Sequence, residues 1–270
     1  MSRITETFKC LKEEGRRGFV PFITAGDPDL ETTRDLIVEL ARAGATIIEL
    51  GVPFSDPVAD GPTIQRASER ALLNNVGVSE VLKVVRDARL ETDVPVVLFS
   101  YFNPLMQFGV ERLATECVSA GVDGILVTDL VPEEAGDFNS TLRQHGLDQI
   151  FLAAPTTTDA RLRMIADHAS GFVYAVSRAG VTGAQADLSA DAKRLVERIR
   201  QVTDLPVAVG FGISTREQLA EVWSYADAAV VGSAIVAEIE KNAGEPDVVP
   251  RVGSFACSLI PTTFVASTLD

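Results

Sequence analysis

Three carboxylates lie close together in one stretch of the chain, IIELGVPFSDPVADGPTIQ, which spans residues 47–65. Glu49 lies inside an apolar run, while Asp56 and Asp60 follow in a segment rich in proline. If that run is a strand, Glu49 points to one face and its two sequence neighbours point to the other. A carboxyl group on the inner face is partly desolvated, so its pKa should rise towards neutrality. Such a group can both give and take a proton, which indicates acid–base chemistry.

Each of these acids has a simpler alternative. Glu49 would also fit as a buried glutamate paired with an arginine, and isolated aspartates in loops commonly form turns. We expect Asp56 to be structural in this way. Asp60 differs, because its loop is stiffened by three prolines that would hold its side chain over a pocket: Pro53, Pro57 and Pro62.

Eight apolar runs rich in valine and isoleucine recur along the chain, with helical patterns between them. They span residues 18–24, 46–51, 94–100, 124–129, 149–155, 171–177, 205–212 and 228–233. Parallel strands that are covered on both faces have this composition. Two of the segments between them, residues 30–45 and 110–122, carry apolar residues on one helical face and end at glycine.

Eight such alternations predict a closed (β/α)8 barrel, in which residues 1–270 form a single domain and residues 261–270 are a tail of no assigned role. An open, doubly wound sheet is the alternative. That fold favours a GxGxxG turn after the first strand, where this chain has TAGDPD instead. In a barrel the active site lies at the carboxyl ends of the strands.

Glycine-rich loops follow the last three predicted strands: SRAGVTGAQ (177–185), GFGIS (210–214) and VGS (231–233). Backbone N–H groups in such loops can approach an anion closely. A helix that begins at Ser214 or Ser233 would add the positive end of its dipole. Barrels of this class usually bind phosphate in the loops after strands seven and eight. The glycines would also fit as tight turns, but the three loops together favour a phosphorylated ligand.

The composition excludes several classes of function. A net charge of −14 argues against a nucleic-acid partner, since binding phosphates needs a basic surface. No apolar run is long enough for a membrane span, and the N-terminus MSRITETFKCLKEEGRR has no apolar stretch of signal-peptide length, so we expect a cytoplasmic protein. The three scattered cysteines fit reduced thiols of that compartment. Only 5 of the 24 basic residues are lysines, and acid-rich, lysine-poor surfaces are typical of a high-salt cytoplasm.

The predicted mouth of the barrel is poor in metal-binding and imine-forming groups. Both histidines precede strands, and none of the five lysines ends one, which argues against a metal and a Schiff base. Tyr101 and Tyr174 lie on predicted strands three and six or at their ends. Phe22, Phe99 and Phe211 would line the site if they face inward. These residues suit a phosphorylated substrate with a flat apolar body, converted by proton transfer alone.

Seven short stretches of the chain together resemble the alpha subunit of tryptophan synthase. In chain order they are PFITAGDPD, IELGVPFSDPVADGPTIQ, YFNPL, LVTDLVPEE, SRAGVTG, GFGIS and VGSAIV, within about residues 18–236. The resemblance implies retro-aldol cleavage of indole-3-glycerol phosphate to indole and glyceraldehyde 3-phosphate, in tryptophan biosynthesis and without a cofactor in this chain. It also implies that Glu49 and Asp60 are the catalytic carboxylates.

The resemblance implies further site residues and a partner. Tyr174 and Thr182 would help to shape the site. Backbone N–H groups would hold the phosphate near Gly183, Gly212, Gly232 and Ser233. The indole pocket would draw on Phe22, Leu98, Phe99, Tyr101, Leu126 and Phe211. The family works as an alpha–beta–beta–alpha heterotetramer in which the beta subunit carries pyridoxal phosphate and receives indole. Residues 52–62 would contact that partner, and residues 177–187 would form a mobile lid.

Two other functions compete with this one. Another phosphate-binding barrel, an isomerase or synthase acting on phosphorylated sugars or indole precursors, would use the same glycine loops. A non-catalytic subunit that only activates a partner would have no need for both Glu49 and Asp60.

Overall fold

Eight parallel strands pair in sequence order, and the last pairs with the first to close a barrel. The computed structural model describes residues 1–176, 185–210 and 212–261, and in residues 185–189 the backbone only. The strands are β1 (Gly18–Thr24), β2 (Ile48–Gly51), β3 (Val96–Ser100), β4 (Gly124–Val127), β5 (Asp148–Ala153), β6 (Val173–Val176), β7 (Val207–Gly210) and β8 (Ala228–Val231). The predicted (β/α)8 barrel is confirmed, and the open sheet is wrong.

Helices surround this barrel in the described part of the chain. They are α1 (Arg3–Glu13), α2 (Leu30–Arg42), α3 (Pro62–Leu73), α4 (Val78–Ala88), α5 (Phe102–Phe108), α6 (Val110–Ala120), α7 (Gly136–Gln144), α8 (Asp159–His168), α9 (Gln185–Arg200), α10 (Arg216–Trp223), α11 (Ser233–Asn242) and α12 (Val248–Leu259). None of these helices has the length and hydropathy that crossing a bilayer requires.

The two predicted helices end where a glycine supplies a left-handed backbone. Gly121 is the C-cap of α6 with φ of 85°, and Gly44 follows the C-cap of α2 with φ of 106°. L-residues with a Cβ rarely adopt that conformation, so these glycines end the helices. Several predicted strands are longer than the observed ones, because apolar residues continue beyond the paired backbone.

Alternation along the strands separates two apolar layers. Ile48 and Leu50 lie in the large cluster between strands and helices, whereas Ile47 lies in the cluster inside the barrel. Helix α1 closes the amino-terminal end of the barrel, with the ring of Phe8 against that of Phe172 at a centroid separation of 5.7 Å. The opposite end, where the strands finish, is left for the functional site.

Candidate active site at the carboxyl ends of the strands

Glu49 lies on β2 with its side chain inside the barrel. It pairs in register with Phe22 of β1 and Val97 of β3, and it is 1% exposed. Its Oε1 atom has no hydrogen-bond partner among the described residues. Burial removes the carboxyl group from water and raises its pKa to about 8. No arginine accompanies it there, so within the described structure the ion-paired alternative is wrong.

Tyr174 lies on β6 and shares the interior of the barrel with Glu49. Its phenol is buried, and both that burial and the nearby charge of Glu49 raise its pKa well above 10. The hydroxyl therefore stays protonated at neutral pH and is available as a neutral hydrogen-bond donor. The structure thus places Tyr174 in the barrel interior, and its role in shaping the site stays a prediction.

Asp60 lies in the loop between β2 and α3, and Tyr101 holds that part of the loop. The Tyr101 hydroxyl accepts a hydrogen bond from the backbone N–H of Ala59 at 2.8 Å. Burial raises the pKa of Asp60 to about 6, and a hydrogen bond from Tyr101 partly opposes that rise. Gln65 also donates from Nε2 to the backbone carbonyl of Asp60 at 2.8 Å. At neutral pH Asp60 is thus mostly ionised, whereas Glu49 is mostly protonated.

Sequence reasoning missed Gln65, although it lies inside the stretch on which the family resemblance rests. Its spacing of five residues from Asp60 is compatible with a side chain folding back over the start of α3, where Gly61 is the N-cap and offers no side chain. Asp56, by contrast, is exposed and accepts from the Ser55 hydroxyl at 2.6 Å, as expected for a turn former.

Aromatic and aliphatic side chains line the barrel next to these acids. The rings of Phe22 and Phe99 meet edge to face with centroids 5.2 Å apart, and Leu126 lies in the interior cluster. Leu98 does not belong to this group, because it lies in the outer layer against the helices. Its two strand neighbours point inward, and alternation therefore turns it away from the site.

The start of α11 offers unoccupied backbone donors. Gly232 is its N-cap, no side chain in the described part of the chain caps the helix, and Ser233 is exposed. The first N–H groups of such a helix have no partner within the helix, and the dipole there favours an anion. Gly232 also approaches α3, since a Cβ on it would lie 3.9 Å from Cδ1 of Ile64.

The loop after β7 differs from the sequence expectation. The expected helix start at Ser214 is wrong, because α10 begins at Arg216 with Thr215 as its N-cap. Gln218 Oε1 accepts from the N–H groups of Ser214 and Thr215 at 2.8 Å and 3.2 Å, which occupies both donors. Gly212 remains open to a ligand, since it has φ of 77° and a Cβ added to it would meet no described heavy atom within 4 Å.

Three predicted site residues lie outside the described part of the chain: Thr182, Gly183 and Phe211. The predicted lid at residues 177–187 overlaps the same gap. These assignments stay predictions.

A groove of about 280 Å³ lies between the β2–α3 loop and α3 itself. Its walls contain neither Glu49 nor Asp60, so it is distinct from the barrel interior. They are formed by Phe54, Ser55, Asp56, Pro57, Val58, Gln65, Glu69 and Leu72.

Taken together, one protonated and one ionised carboxyl group stand at the mouth of a (β/α)8 barrel, on whose rim a helix start is open to an anion. This combination defines an acid–base enzyme of the barrel class that acts on an anionic substrate.

The comparisons with known proteins give the family. The sequence model of the tryptophan synthase alpha chain matches residues 8–257. The tryptophan synthase alpha chain of Solibacter usitatus is 48% identical over 259 residues, covering 96% of this chain and 97% of that protein. The one from Geobacter sulfurreducens is 52% identical over 241 residues, covering 89% and 91%.

Solved structures agree with the sequence relatives. The tryptophan synthase subunit alpha from Legionella pneumophila superimposes with a TM-score of 0.88 at 39% identity, over 96% of this chain and 97% of that one. The chain belongs to the tryptophan synthase alpha chain family. It is a lyase that cleaves indole-3-glycerol phosphate in tryptophan biosynthesis.

Proposed function

We propose that Glu49 and Asp60 divide the chemistry of this cleavage between them. The observation that carries the proposal is the Glu49 carboxyl group, which is buried inside the barrel without an ion partner among the described residues and has a pKa of about 8. At neutral pH it is mostly in the acid form, and it lies on the inner face of the barrel near the rings of Phe22 and Phe99. It can therefore give a proton in one step and take one back in the next.

Breaking a carbon–carbon bond requires an electron acceptor. The indole ring of the substrate supplies it: Glu49 gives its proton to ring carbon C3, and the ring becomes a cationic indolenine. The bond from C3 to the glycerol side chain then breaks, and its electron pair returns to the ring. The hydroxyl on the departing carbon loses its proton to the Glu49 carboxylate and becomes the aldehyde of glyceraldehyde 3-phosphate. Atoms and charge balance, and Glu49 ends in the form in which it began.

Asp60 would stabilise the cation between these two steps. Its carboxylate, ionised at neutral pH, would accept a hydrogen bond from the ring N–H and balance the positive charge. Tyr101 keeps the loop of Asp60 in place, and Phe22 and Phe99 would contact the ring. Backbone N–H groups near Gly212, Gly232 and Ser233 would hold the phosphate, together with the predicted Gly183. Tyr174, Thr182 and Phe211 complete the proposed binding set.

Glu49→Gln tests the division of roles. The amide keeps the shape of the side chain but has no proton to transfer, so cleavage should fall by about 10³-fold or more while substrate still binds. Asp60→Asn should lower the rate strongly as well, because an amide cannot balance a cation. Glu69→Gln, in the wall of the outer groove, is the matched control and should retain activity. Near wild-type turnover by Glu49→Gln would show that the assignment is wrong.

We also propose that the chain works with a beta subunit in an alpha–beta–beta–alpha tetramer, to which it passes indole. Pyridoxal phosphate would belong to that partner, and this chain would need no cofactor of its own. The exposed apolar Val58, at 88% exposure, supports a protein contact at residues 52–62. Sedimentation of the two purified chains together, with indole release measured in the same mixture, tests both the stoichiometry and the activation.

A cytoplasmic, high-salt environment is the remaining proposal. It is supported by the acidic, lysine-poor composition, in which self-repulsion is relieved by salt. The unfolding temperature should rise as KCl is increased from about 0.1 M to about 2 M, beyond the rise seen for a related alpha chain of ordinary charge. An equal or smaller rise would argue for an ordinary acidic protein.

A further inference from the structure

Arg70 on α3 joins two acids that come from distant parts of the chain. Its Nε and Nη2 atoms donate to the two carboxylate oxygens of Asp27 at 2.7 Å and 2.8 Å. Its Nη1 atom donates to Oε1 of Glu240 at 2.8 Å. Asp27 follows β1, and Glu240 lies on α11, so one guanidinium group connects the β1 turn, α3 and α11. The proton transfers assigned to Glu49 make no use of this group.

Each of the two helices that Arg70 connects supports one half of the proposed site. Helix α3 begins at Pro62, two residues after Asp60, whereas α11 begins at Ser233. Beside the ion pairs the helices meet through Ala67 and Val236, which are both fully buried in one small cluster with Phe22. That cluster is apolar and small, and apolar contacts are non-directional. Directed hydrogen bonds from Arg66 and Arg70 to Glu240 fix one helix relative to the other. Of these two arginines, Arg70 is the one whose described bonds also reach Asp27, so it ties both helices to the β1 turn.

We propose that Arg70 is a positioning residue for the cleavage reaction. By fixing α3 against α11 it holds the Asp60 carboxylate at the distance from the bound phosphate that the substrate requires. The inference rests on the proposed function, since it takes Asp60 as the group that meets the ring and α11 as the helix that meets the phosphate. Small displacements of a catalytic group cost large factors in rate, even when binding is retained.

A purely structural role for Arg70 is the competing explanation. Asp27 is 1% exposed, and a buried carboxylate that loses its arginine partner destabilises the fold. Loss of activity in an Arg70 variant would then reflect unfolding alone. The two explanations differ when the buried charge is removed together with its partner.

The experiment therefore compares Arg70→Met with the double variant Asp27→Asn/Arg70→Met. The full chain is assayed with and without a beta subunit for kcat and KM, and its unfolding temperature and its Kd for inorganic phosphate are measured. Arg70→Met should lower kcat about tenfold, keep the phosphate Kd within about twofold and lower the unfolding temperature. The double variant should recover the unfolding temperature but not kcat. If it recovers both, Arg70 is only a counter-ion for Asp27, and the proposal is overturned.

Glu240→Ala provides a second route that leaves the Asp27–Arg70 pair intact. It breaks the hydrogen bonds of both Arg70 and Arg66 to α11, at a half-exposed position, so the chain should fold while kcat falls by a similar factor. Arg66→Met is the control, because Arg66 also pairs with Glu240, at 2.7 Å, but makes no described bond to Asp27. It should keep kcat within about twofold. Wild-type kcat in Glu240→Ala would overturn the proposal.

These variants distinguish a failure of the positioning role of Arg70 from a failure of the proposed function. If Glu49→Gln and Asp60→Asn are inactive while Arg70→Met and Glu240→Ala keep full kcat, only the positioning role is wrong. If Asp60→Asn is fully active, the roles assigned to the carboxylates are wrong, and the positioning role of Arg70 that rests on them is wrong as well.

Discussion

The Tyr174 hydroxyl occupies the space that a side chain on Gly210 would need. A Cβ atom at position 210 would lie 2.0 Å from Oη of Tyr174, 2.6 Å from Cζ and 2.9 Å from Cε1. The two residues lie on the neighbouring strands β6 and β7, and both belong to the inner face of the barrel. The glycine therefore leaves the room that the phenol needs at this position, where the charge of Glu49 acts on it.

Gly210→Ala should displace the Tyr174 ring and lower cleavage about tenfold. Overpacking of this kind also costs about 1–3 kcal/mol of stability, so the unfolding temperature should fall by several degrees. Steady-state kinetics and thermal melts check both effects. Adding Tyr174→Phe should not restore activity, because the ring carbons at 2.6 Å and 2.9 Å still clash. Gly136→Ala is the control, since a Cβ there meets nothing within 4 Å; equal losses in both variants would contradict the argument.

The rate of cleavage should depend on pH with two limbs. As the pH falls through about 6, Asp60 becomes protonated and can no longer balance the ring cation. As the pH rises through about 8, Glu49 loses the proton that starts the reaction. A profile of kcat/KM against pH should thus be bell-shaped, with limbs near those values. A rate that stays flat from about pH 5 to about pH 9 would exclude these two groups as the acid and the charge stabiliser.

Much of the fold and part of the site follow from local pattern. Continuous apolar runs identify buried parallel strands, and the period of two places Ile47 and Glu49 on one face. The same period turns Leu98 outward, and Thr215 with Gln218 forms a capping box that marks the true start of α10. The placement of Leu98 in the indole pocket and the expected helix start at Ser214 were therefore avoidable errors. The contact of Arg70 with Glu240 could not be predicted, because the two residues are 170 positions apart in the sequence. A local sequence pattern does not indicate which distant residues come into contact. The same holds for Tyr174 and Gly210.

Tyr101→Phe should shift the acid limb of the pH profile upwards. The Tyr101 hydroxyl lowers the pKa of Asp60 by hydrogen bonding, so removing it should raise that pKa above about 6. It also leaves the N–H of Ala59 without its acceptor, which should loosen the loop and lower kcat several-fold. The profile of the variant against wild type is the measurement. A lower rate with an unmoved acid limb would mean that Tyr101 acts on the loop alone and not on the carboxylate.

Glu49→Gln should make stability less dependent on pH as well as abolish cleavage. The pKa of Glu49 is about 8 in the folded chain and near 4.5 when unfolded, so between those values the folded state holds the extra proton. The free energy of unfolding therefore falls as the pH rises through that window, and it falls by a few kcal/mol. Glutamine has no such proton. The variant should melt at a higher temperature than wild type at about pH 8.5 and close to it at about pH 4.5, where Glu49 is neutral in the folded chain. The contradicting outcome is a difference in melting temperature between variant and wild type that is the same at both pH values. It would show that Glu49 is ionised in the folded protein at neutral pH and would exclude it as the proton donor.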